Sequence, residues 1–139
     1  MVFSKQITLQ SDGHFNVIIV TDQVREFIQS TGIREGQVLI FFRHTTGAVI
    51  INEFEAGIVA DLQAMFENIS PAVHEYKHHI REVDFNGHAH LRSILMQSSV
   101  SIPILDGEMT LGEFQEILVI DDQVDQEART LIVQVMGDA

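Results

Sequence analysis

The sequence contains no cysteine among its 139 residues. This absence excludes disulfide bonds, thiolate nucleophiles and thiolate metal ligands together. Any metal ion that the chain binds must therefore sit on histidine, aspartate or glutamate side chains.

Basic residues are also scarce. Eight lysines and arginines stand against 20 aspartates and glutamates, which gives a formal net charge of -12. Nucleic-acid binding depends mainly on basic side chains that neutralise phosphates, so we expect no nucleic-acid partner. A small phosphorylated substrate stays open, because a metal ion and two or three basic groups can offset the overall field locally.

Long apolar runs are missing as well. No stretch approaches the roughly 20 residues of a membrane span, and residues 1–14 lack the apolar segment and small-residue cleavage site of a signal peptide. We therefore expect a cytoplasmic protein with no membrane partner. The sequence shows no repeat, low-complexity stretch or linker, and its length is typical of one compact domain, residues 1–139.

Histidines are unusually dense in one short stretch. Five of the seven fall within residues 74–90: His74, His78, His79, His88 and His90. Imidazole is the commonest transition-metal ligand and titrates near neutral pH, so the cluster indicates a metal or acid–base centre. A single histidine is more often a hydrogen-bonded structural residue, and only the density of the group favours a site.

Strand patterns dominate both ends of the chain. Alternation from Lys5 to Leu9 and the apolar run 15–20 predict two opening strands, and runs 37–42 and 47–51 predict two more. His44 then lies at a strand end or bulge, where functional residues are common. Runs 100–105, 108–111, 114–120 and 130–135 predict an antiparallel meander with a tight turn at Asp106-Gly107.

Two segments show helical patterns. Apolar residues at helical spacing predict a short helix after Thr21-Asp22, which offer an N-cap, with Gly32 at its end. Residues 55–70 give the strongest helical pattern, and Pro71 marks its end. Residues 76–87 are polar and aperiodic, which predicts a long loop of the kind that often has a function. Residues 90–96 fit one or two further helical turns.

The string His74-Glu75-Tyr76-Lys77-His78 matches the His-Glu-x-x-His signature of zinc metalloproteases. That site needs a long helix to place both histidines beside the glutamate. Pro71 and the polar loop argue against such a helix, so a chance match in a histidine-rich loop is the favoured interpretation.

Two further groups have several interpretations. His88 and His90 at i, i+2 would share one face of a strand but would diverge at a helix start. Glu53 has three interpretations: it caps a helix with its carboxylate, it orients a ligating imidazole, or it acts as a general base. No phosphate-binding glycine pattern and no nucleophile elbow is present, and Gln115 is the polar residue of note near the C-terminal glycines.

Five ordered motifs resemble one known family. They are His44-Thr45-Thr46-Gly47-Ala48, Ile51-Asn52-Glu53, Tyr76-x-His78, Asn86-Gly87-His88-Ala89-His90-Leu91-Arg92, and Pro103-x3-Gly107-x3-Leu111-Gly112-x2-Gln115. In order and spacing they resemble the YjbQ-like family, whose members are described as secondary thiamine-phosphate synthases. The resemblance runs over nearly the whole chain.

The resemblance implies an α+β fold, with antiparallel sheets and two main helices, assembled as a homotrimer with the histidine site near a subunit boundary. It also implies that His44, His78 and His90 are the metal ligands, with His88 as a second choice. Three neutral imidazoles with an open position suit a divalent ion, with zinc favoured.

Further roles belong to our leading hypothesis. In it, Glu53 and Gln115 act in catalysis, as base or ligand orienter and as pocket support, and Arg92, Thr45 and Thr46 bind the phosphorylated substrate. Some positions depart from the family pattern: His79 replaces an acidic residue, Phe114 replaces a tryptophan, and residues 122–130 retain Arg129 as their one arginine. These departures bear on which substrate the protein would bind more than on which fold it adopts.

We therefore expect a metal-binding, YjbQ-like enzyme that acts on a phosphorylated small molecule, of the thiamine-phosphate synthase type. The alternative is a non-catalytic, trimeric protein that binds a metal or a small ligand.

Overall fold

The computed structural model describes residues 1–80 and 85–139. Four short elements open the chain: β1 (Val2–Ser11), β2 (Asn16–Ile19), α1 (Thr21–Thr31) and β3 (Glu35–Phe42). They are followed by β4 (Gly47–Asn52), α2 (Ala56–Ile69), a 3₁₀ turn (Lys77–Ile80) and α3 (Gly87–Met96). The chain ends with β5 (Ser99–Leu105), β6 (Glu108–Met109), β7 (Glu116–Asp121) and β8 (Glu127–Asp138).

Two antiparallel sheets carry these strands. The larger sheet has the order β1-β8-β3-β5-β6 and the smaller one has the order β2-β7-β4. The predicted α+β class is confirmed, and a third helix, α3, joins the two that were predicted. In place of the one or two turns expected from residue 90, α3 has ten residues and begins at Gly87.

The predicted C-terminal meander is wrong. β5 and β6 do form a hairpin, and Asp106 and Gly107 have the positive φ values, 54° and 86°, that a tight type I′ turn requires. β7 then enters the smaller sheet between β2 and β4, and β8 returns to the larger sheet between β1 and β3. Five of the six residues of β7 are buried, as expected for a central strand.

The main core joins the inner face of the larger sheet, α1 and residues of the smaller sheet, among them Val49, Ile117 and Val119. Alternate residues of each strand face inward, so that Leu131, Val133 and Val135 of β8 are buried while the residues between them are partly exposed. Val24 and Ile28 of α1 pack against this inner face. A second, smaller cluster joins Phe15, Phe66 of α2 and Ile120 of β7.

The helix ends differ in part from the sequence prediction. α1 begins at Thr21, and no side chain caps it; the Thr21 hydroxyl instead bonds to Glu116 and accepts the N–H of Ile117 at 2.9 Å. The predicted end at Gly32 is confirmed by its φ of 74°. The predicted α2 is also confirmed, and Glu55 caps it by accepting the N–H groups of Gly57 and Ile58. The capping role weighed for Glu53 therefore belongs to Glu55.

Positions 81–84 of the predicted loop lie outside the described residues. Among the residues that are described, no helix is long and apolar enough to cross a membrane.

Candidate functional site

His44 lies in the four-residue connection between β3 and β4, as predicted. The β3–β8 ladder ends at the pair Phe42 and Leu131, and the His44 side chain extends it, because Nε2 accepts the backbone N–H of Thr130 at 2.8 Å. The ring packs against Phe42 with centroids 4.8 Å apart. Burial lowers the pKa of His44, and the nearby Arg129 guanidinium lowers it further. These effects favour the neutral ring.

Helix α3 separates the two histidines of the His88-Ala89-His90 motif, which confirms the divergence expected at a helix start. His88 points inward and is 6% exposed, whereas His90 is partly exposed. The Nδ1 atom of His88 is buried without a hydrogen-bond partner among the described residues. Burial lowers the pKa of His88, and Arg92 adds to the effect. His88 is therefore a neutral, inward-facing residue.

One cavity brings together segments that are distant in sequence. Its volume is about 410 Å³, and it is lined by His44, Thr45, His90, Ser93, Ile94, Gln97 and Ser98. We call it the histidine cavity. The α3 residues repeat at i, i+3, i+4 and i+7, so one face of the helix forms one wall. The other wall comes from the β3–β4 connection.

His78 completes the contact between the three predicted ligand segments. Its ring meets the His90 ring edge to face, at an angle of 72° and with centroids 4.7 Å apart, and its Nε2 lies 3.1 Å from Oδ1 of Asn86. The His78 ring thus contacts the His90 ring, and His90 lines the same cavity as His44. Within residues 1–80 and 85–139, however, no group of three histidine, aspartate or glutamate side chains is arranged to hold a metal ion.

The metalloprotease motif has no helix to carry it. Residues 74–76 are irregular, and Lys77–Ile80 form a single 3₁₀ turn. His79 has a local role instead, since its Nε2 accepts the N–H of Gly87 at 3.0 Å and so satisfies a free donor at the start of α3. The chance-match interpretation of the motif is favoured.

Arg92 faces protein groups and not an open cavity. Its side chain is 3% exposed and donates to the carbonyl of Ser70 at 2.8 and 3.0 Å, to Glu67 at 2.8 Å and to Asp122 at 3.1 Å. Thr46 is buried, and its carbonyl accepts the N–H of Asp122 at 2.9 Å. Of the three residues expected to bind substrate, Thr45 is the one that lines the histidine cavity.

Arg129, the one arginine left in the C-terminal motif, is similarly enclosed. It is 3% exposed and pairs with Asp121 at 2.9 Å and with Glu127 at 2.8 Å. Asp121 also accepts a hydrogen bond from Ser11. Three carboxylates, counting Asp125 at 3.5 Å, surround the guanidinium, so this arginine supports the fold.

Glu53 and Gln115 lie at the opposite end of the smaller sheet from His44. Asn52 pairs with Glu116, and Gly47 pairs with Asp121, so Glu53 and Gln115 adjoin each other beyond one end of the β4–β7 pair. The five steps from Gly47 to Asn52 span roughly 17 Å of extended strand. Within one chain, the register does not bring these residues to the histidine cavity. Gln115 is exposed, and its Oε1 accepts the N–H of Gly112 at 2.8 Å.

Sequence reasoning missed several residues that shape this region. Ser93, Gln97 and Ser98 line the cavity, and Asn86 links His78 to Gln123 through its amide. Extending the helical pattern of α3 from His90 through Gln97 would have revealed the first two. No sequence signal linked Gln123 to Asn86, because residues 37 positions apart meet only in the folded chain.

Comparisons with known proteins agree with the motif resemblance. The family model described as "UPF0047 protein YjbQ-like" matches residues 5–138. A UPF0047 protein from Archaeoglobus fulgidus is 34% identical over 127 residues, which cover 91% of this chain and 97% of the relative. Another, from Methanothermobacter thermautotrophicus, is 34% identical over 116 residues, which cover 84% and 80%.

Solved structures show the same fold. A YbjQ-like protein of unknown function from Sulfolobus solfataricus P2 matches with a TM-score of 0.94 and 27% identity, over 99% of each chain. A hypothetical protein from Aeropyrum pernix K1 matches with a TM-score of 0.91 and 28% identity, over 98% of this chain and 99% of the other. The chain therefore belongs to the UPF0047 family of YjbQ-like proteins.

Proposed function

We propose that this protein is a small cytoplasmic enzyme that binds a phosphorylated small molecule in the histidine cavity. The observation that carries the proposal is the convergence of His44, on the β3–β4 connection, and His90, on α3, in one cavity. The remaining wall is mostly hydroxyl and amide side chains, which are suitable partners for phosphoryl oxygens. The formal charge of -12 makes a small, locally recognised anion a better fit than a polyanion.

The reaction that we propose is of the thiamine-phosphate synthase type, on the strength of the family resemblance. In that reaction the ring nitrogen of a thiazole phosphate attacks the methylene carbon of a pyrimidine diphosphate. The carbon–oxygen bond breaks, and its electron pair leaves with pyrophosphate as the new carbon–nitrogen bond forms. Hydrogen-bond donors that meet the leaving oxygens would lower the barrier. Thr45 and the imidazoles of the cavity are the candidates.

A three-histidine metal centre does not fit one chain as it is folded here. Nε2 of His44 is taken by the amide of Thr130, and the described residues contain no three-ligand group. His78 and His90, whose rings touch, are the pair on which we propose that a divalent ion, zinc in preference, would bind.

The test is the binding of inorganic pyrophosphate, the proposed leaving group, by calorimetry. We expect the protein to bind it and His90→Ala to weaken binding by about tenfold or more, the value of one lost charge-assisted contact. His74→Ala, which removes an exposed histidine outside the cavity, is the matched control and should leave binding unchanged. Failure of the unaltered protein to bind, or equal binding by His90→Ala, contradicts the proposal. Turnover of the two thiamine precursors tests the reaction itself.

The contact between His78 and His90 favours one second candidate, a non-catalytic protein that binds a metal or a small ligand. Protein purified without a nickel column should then carry about one metal ion per chain, and His78→Ala should lose it. If metal is bound but neither protein turns over the thiamine precursors, the binding function is correct and the enzyme proposal is wrong.

We also propose that the protein is a homotrimer. A closed ring of three copies joins two different surfaces at each interface, and this chain exposes two uncharged ones. The first is the α3 patch, formed by Leu91, Ile94 and Leu95, which are 45%, 66% and 61% exposed. The patch adjoins the histidine cavity, because Ile94 belongs to both.

The second surface is the outer face of the larger sheet. By the strand register its uncharged part consists of Val2, Ser4, Gln6 and Thr8 of β1, Thr130, Ile132, Gln134 and Met136 of β8, Gln37, Leu39 and Phe41 of β3, and Ser99, Ser101 and Pro103 of β5. Glu35 of β3, Glu108 of β6 and Asp138 of β8 lie on the same face at one end of the sheet. Copies that carry a charge of -12 repel one another except where such neutral faces meet. We propose that the α3 patch of one copy packs on the sheet face of the next.

A further inference from the structure

The hydrogen bond from Thr130 determines which ring nitrogen of His44 carries the proton. A backbone N–H can only donate, so Nε2 of His44, 2.8 Å away, must present its lone pair. In a neutral imidazole the hydrogen is then on Nδ1. Burial and Arg129 keep the ring neutral by lowering its pKa. Among the described residues, no partner is seen for Nδ1.

A second backbone amide fixes the opposite tautomer for His78. The N–H of Val124 donates to Oε1 of Gln123 at 3.0 Å, which identifies that atom as the amide oxygen. The Nδ2 group of Asn86 donates to the same oxygen at 3.2 Å. Oδ1 of Asn86 is therefore the atom that faces Nε2 of His78 at 3.1 Å. An oxygen of this kind only accepts, so Nε2 of His78 carries the hydrogen, and in the neutral ring Nδ1 carries the lone pair.

We infer that His44 and His78 enter the site as opposite tautomers, so that His44 donates an N–H to an anionic oxygen of the ligand and does not bind metal, while His78 offers a lone pair. This inference rests on the proposed function for the identity of the ligand as a phosphorylated small molecule. It differs from the three-histidine site that the family resemblance implies, in which both residues would have the same role.

The assignment of His44 follows from the competition for its one lone pair. A metal ion at Nε2 would displace the amide of Thr130, which would lose its partner where β8 passes the end of β3. Donation from Nδ1 requires no such change. His44 and Thr45 both line the histidine cavity, so an imidazole donor and a hydroxyl are available to the same phosphoryl group.

Three variants of His44 separate a donor from a ligand. Asparagine places its amide nitrogen near the position of Nδ1 and keeps the donor, glutamine keeps an acceptor near the position of Nε2, and alanine removes both. With inorganic pyrophosphate as the probe, we expect His44→Ala and His44→Gln to bind about tenfold or more weakly, and His44→Asn to stay within about threefold of the unaltered protein. Zinc affinity should not change in any of the three. Zinc binding lost in His44→Ala, or pyrophosphate binding lost equally in all three, overturns the inference.

The tautomers are read directly from ¹⁵N nuclear magnetic resonance of the histidine side chains, whatever ligand the protein binds. We expect the protonated-type signal on Nδ1 of His44 and on Nε2 of His78 at neutral pH. Asn86→Ala should alter the pattern of His78 and leave that of His44 unchanged. The same tautomer on both residues overturns the inference even if pyrophosphate binds. Opposite tautomers in a protein that does not bind pyrophosphate uphold the tautomer assignment, overturn the donor role of His44 and contradict the proposed function.

Discussion

Arg92 and Asp122 form a buried ion pair, with Nη1 3.1 Å from Oδ2 and side chains that are 3% and 2% exposed. Arg92 belongs to α3, and Asp122 directly follows β7. The same guanidinium also donates to Ser70 at the end of α2. The pair therefore fixes α3, and with it His90, relative to the smaller sheet. A phosphate counter-charge role for Arg92 would compete with these bonds.

The pair makes folding stability depend on pH. Burial raises the pKa of Asp122 to about 6, although Arg92 opposes the shift. Since the folded-state pKa lies above the ordinary value, the contribution of Asp122 to stability is greatest at low pH and is lost as pH rises through about 6. Relative to Asp122→Asn, the unaltered protein should gain stability between pH 7 and pH 5, on the order of 1 to 2 kcal/mol. Urea unfolding at each pH measures this difference.

The control for that measurement is Asp61→Asn, which changes an exposed aspartate of α2. Its stability should run parallel to that of the unaltered protein over the same pH range. If the unaltered protein instead gained stability relative to Asp122→Asn as the pH rises, the raised pKa of Asp122 would be contradicted.

Removing Arg129 should destabilise the fold much more than removing an exposed arginine. Arg129→Met leaves Asp121, which is 0% exposed, without its cation, and such losses cost about 3 to 5 kcal/mol. Arg25→Met breaks an exposed pair with Asp22 and should cost less than about 1 kcal/mol. Thermal and urea unfolding compare the two. Similar small losses in both variants would mean that the cluster around Arg129 does not support the fold.

The sequence was sufficient for elements whose signal is local. The apolar spacing of α2 and the stop at Pro71 gave its bounds within one residue, and the Asp106-Gly107 turn was correctly predicted because its backbone demands are local. α3 was underestimated, because His88 and Arg92 are buried polar residues that hide its apolar face from a pattern search. The partners that these two residues find, Ser70 for the His88 carbonyl and Asp122 for the Arg92 side chain, come from segments that directly follow α2 and β7.

Strand partners could not be read in the same way. Alternation predicted that β7 and β8 exist, but it carries no information about which strand lies beside them, and the two entered different sheets. The same limit applies to the site. The motifs brought His44, His78 and His90 to notice, whereas the hydrogen bonds of Thr130 and Asn86, which decide what each ring can do, are long-range contacts.

Gly47 should not tolerate a side chain. A Cβ at this position would lie 2.5 Å from the carbonyl oxygen of Ile120 and 2.5 Å from the Phe42 ring. Gly47→Ala should therefore cost about 1 to 3 kcal/mol through overpacking beside the histidine cavity. Gly112→Ala is the matched control, since its nearest neighbour is the flexible Gln115 side chain at 3.4 Å. Urea unfolding measures both, and equal stability of the two variants would contradict the prediction.

Charges placed on either proposed interface should dissociate the proposed trimer. Ile94→Glu adds a carboxylate to the α3 patch, and Phe41→Glu adds one to the outer sheet face, where Phe41 is 42% exposed. A buried, unpaired carboxylate is strongly unfavourable, so each variant should run as a monomer in size-exclusion chromatography with light scattering. Glu113→Gln, at an exposed position outside both surfaces, should remain trimeric. A trimer that persists in both charged variants would exclude these surfaces, and a monomeric parent protein would exclude the trimer.

Gln115, and Glu53 beside it, should serve the histidine cavity of a neighbouring copy, because the strand register places both roughly 17 Å or more from their own His44. His44→Ala and Gln115→Ala should each weaken pyrophosphate binding when prepared alone. Trimers assembled from a mixture of the two variants contain some cavities in which an intact His44 meets an intact Gln115 from the next copy. Dissociation and reassembly of the mixture should therefore restore tight binding to a fraction of the sites, measured by calorimetry against the same mixture left unexchanged. If the reassembled mixture binds no better than the unexchanged one, Gln115 does not act across the subunit boundary.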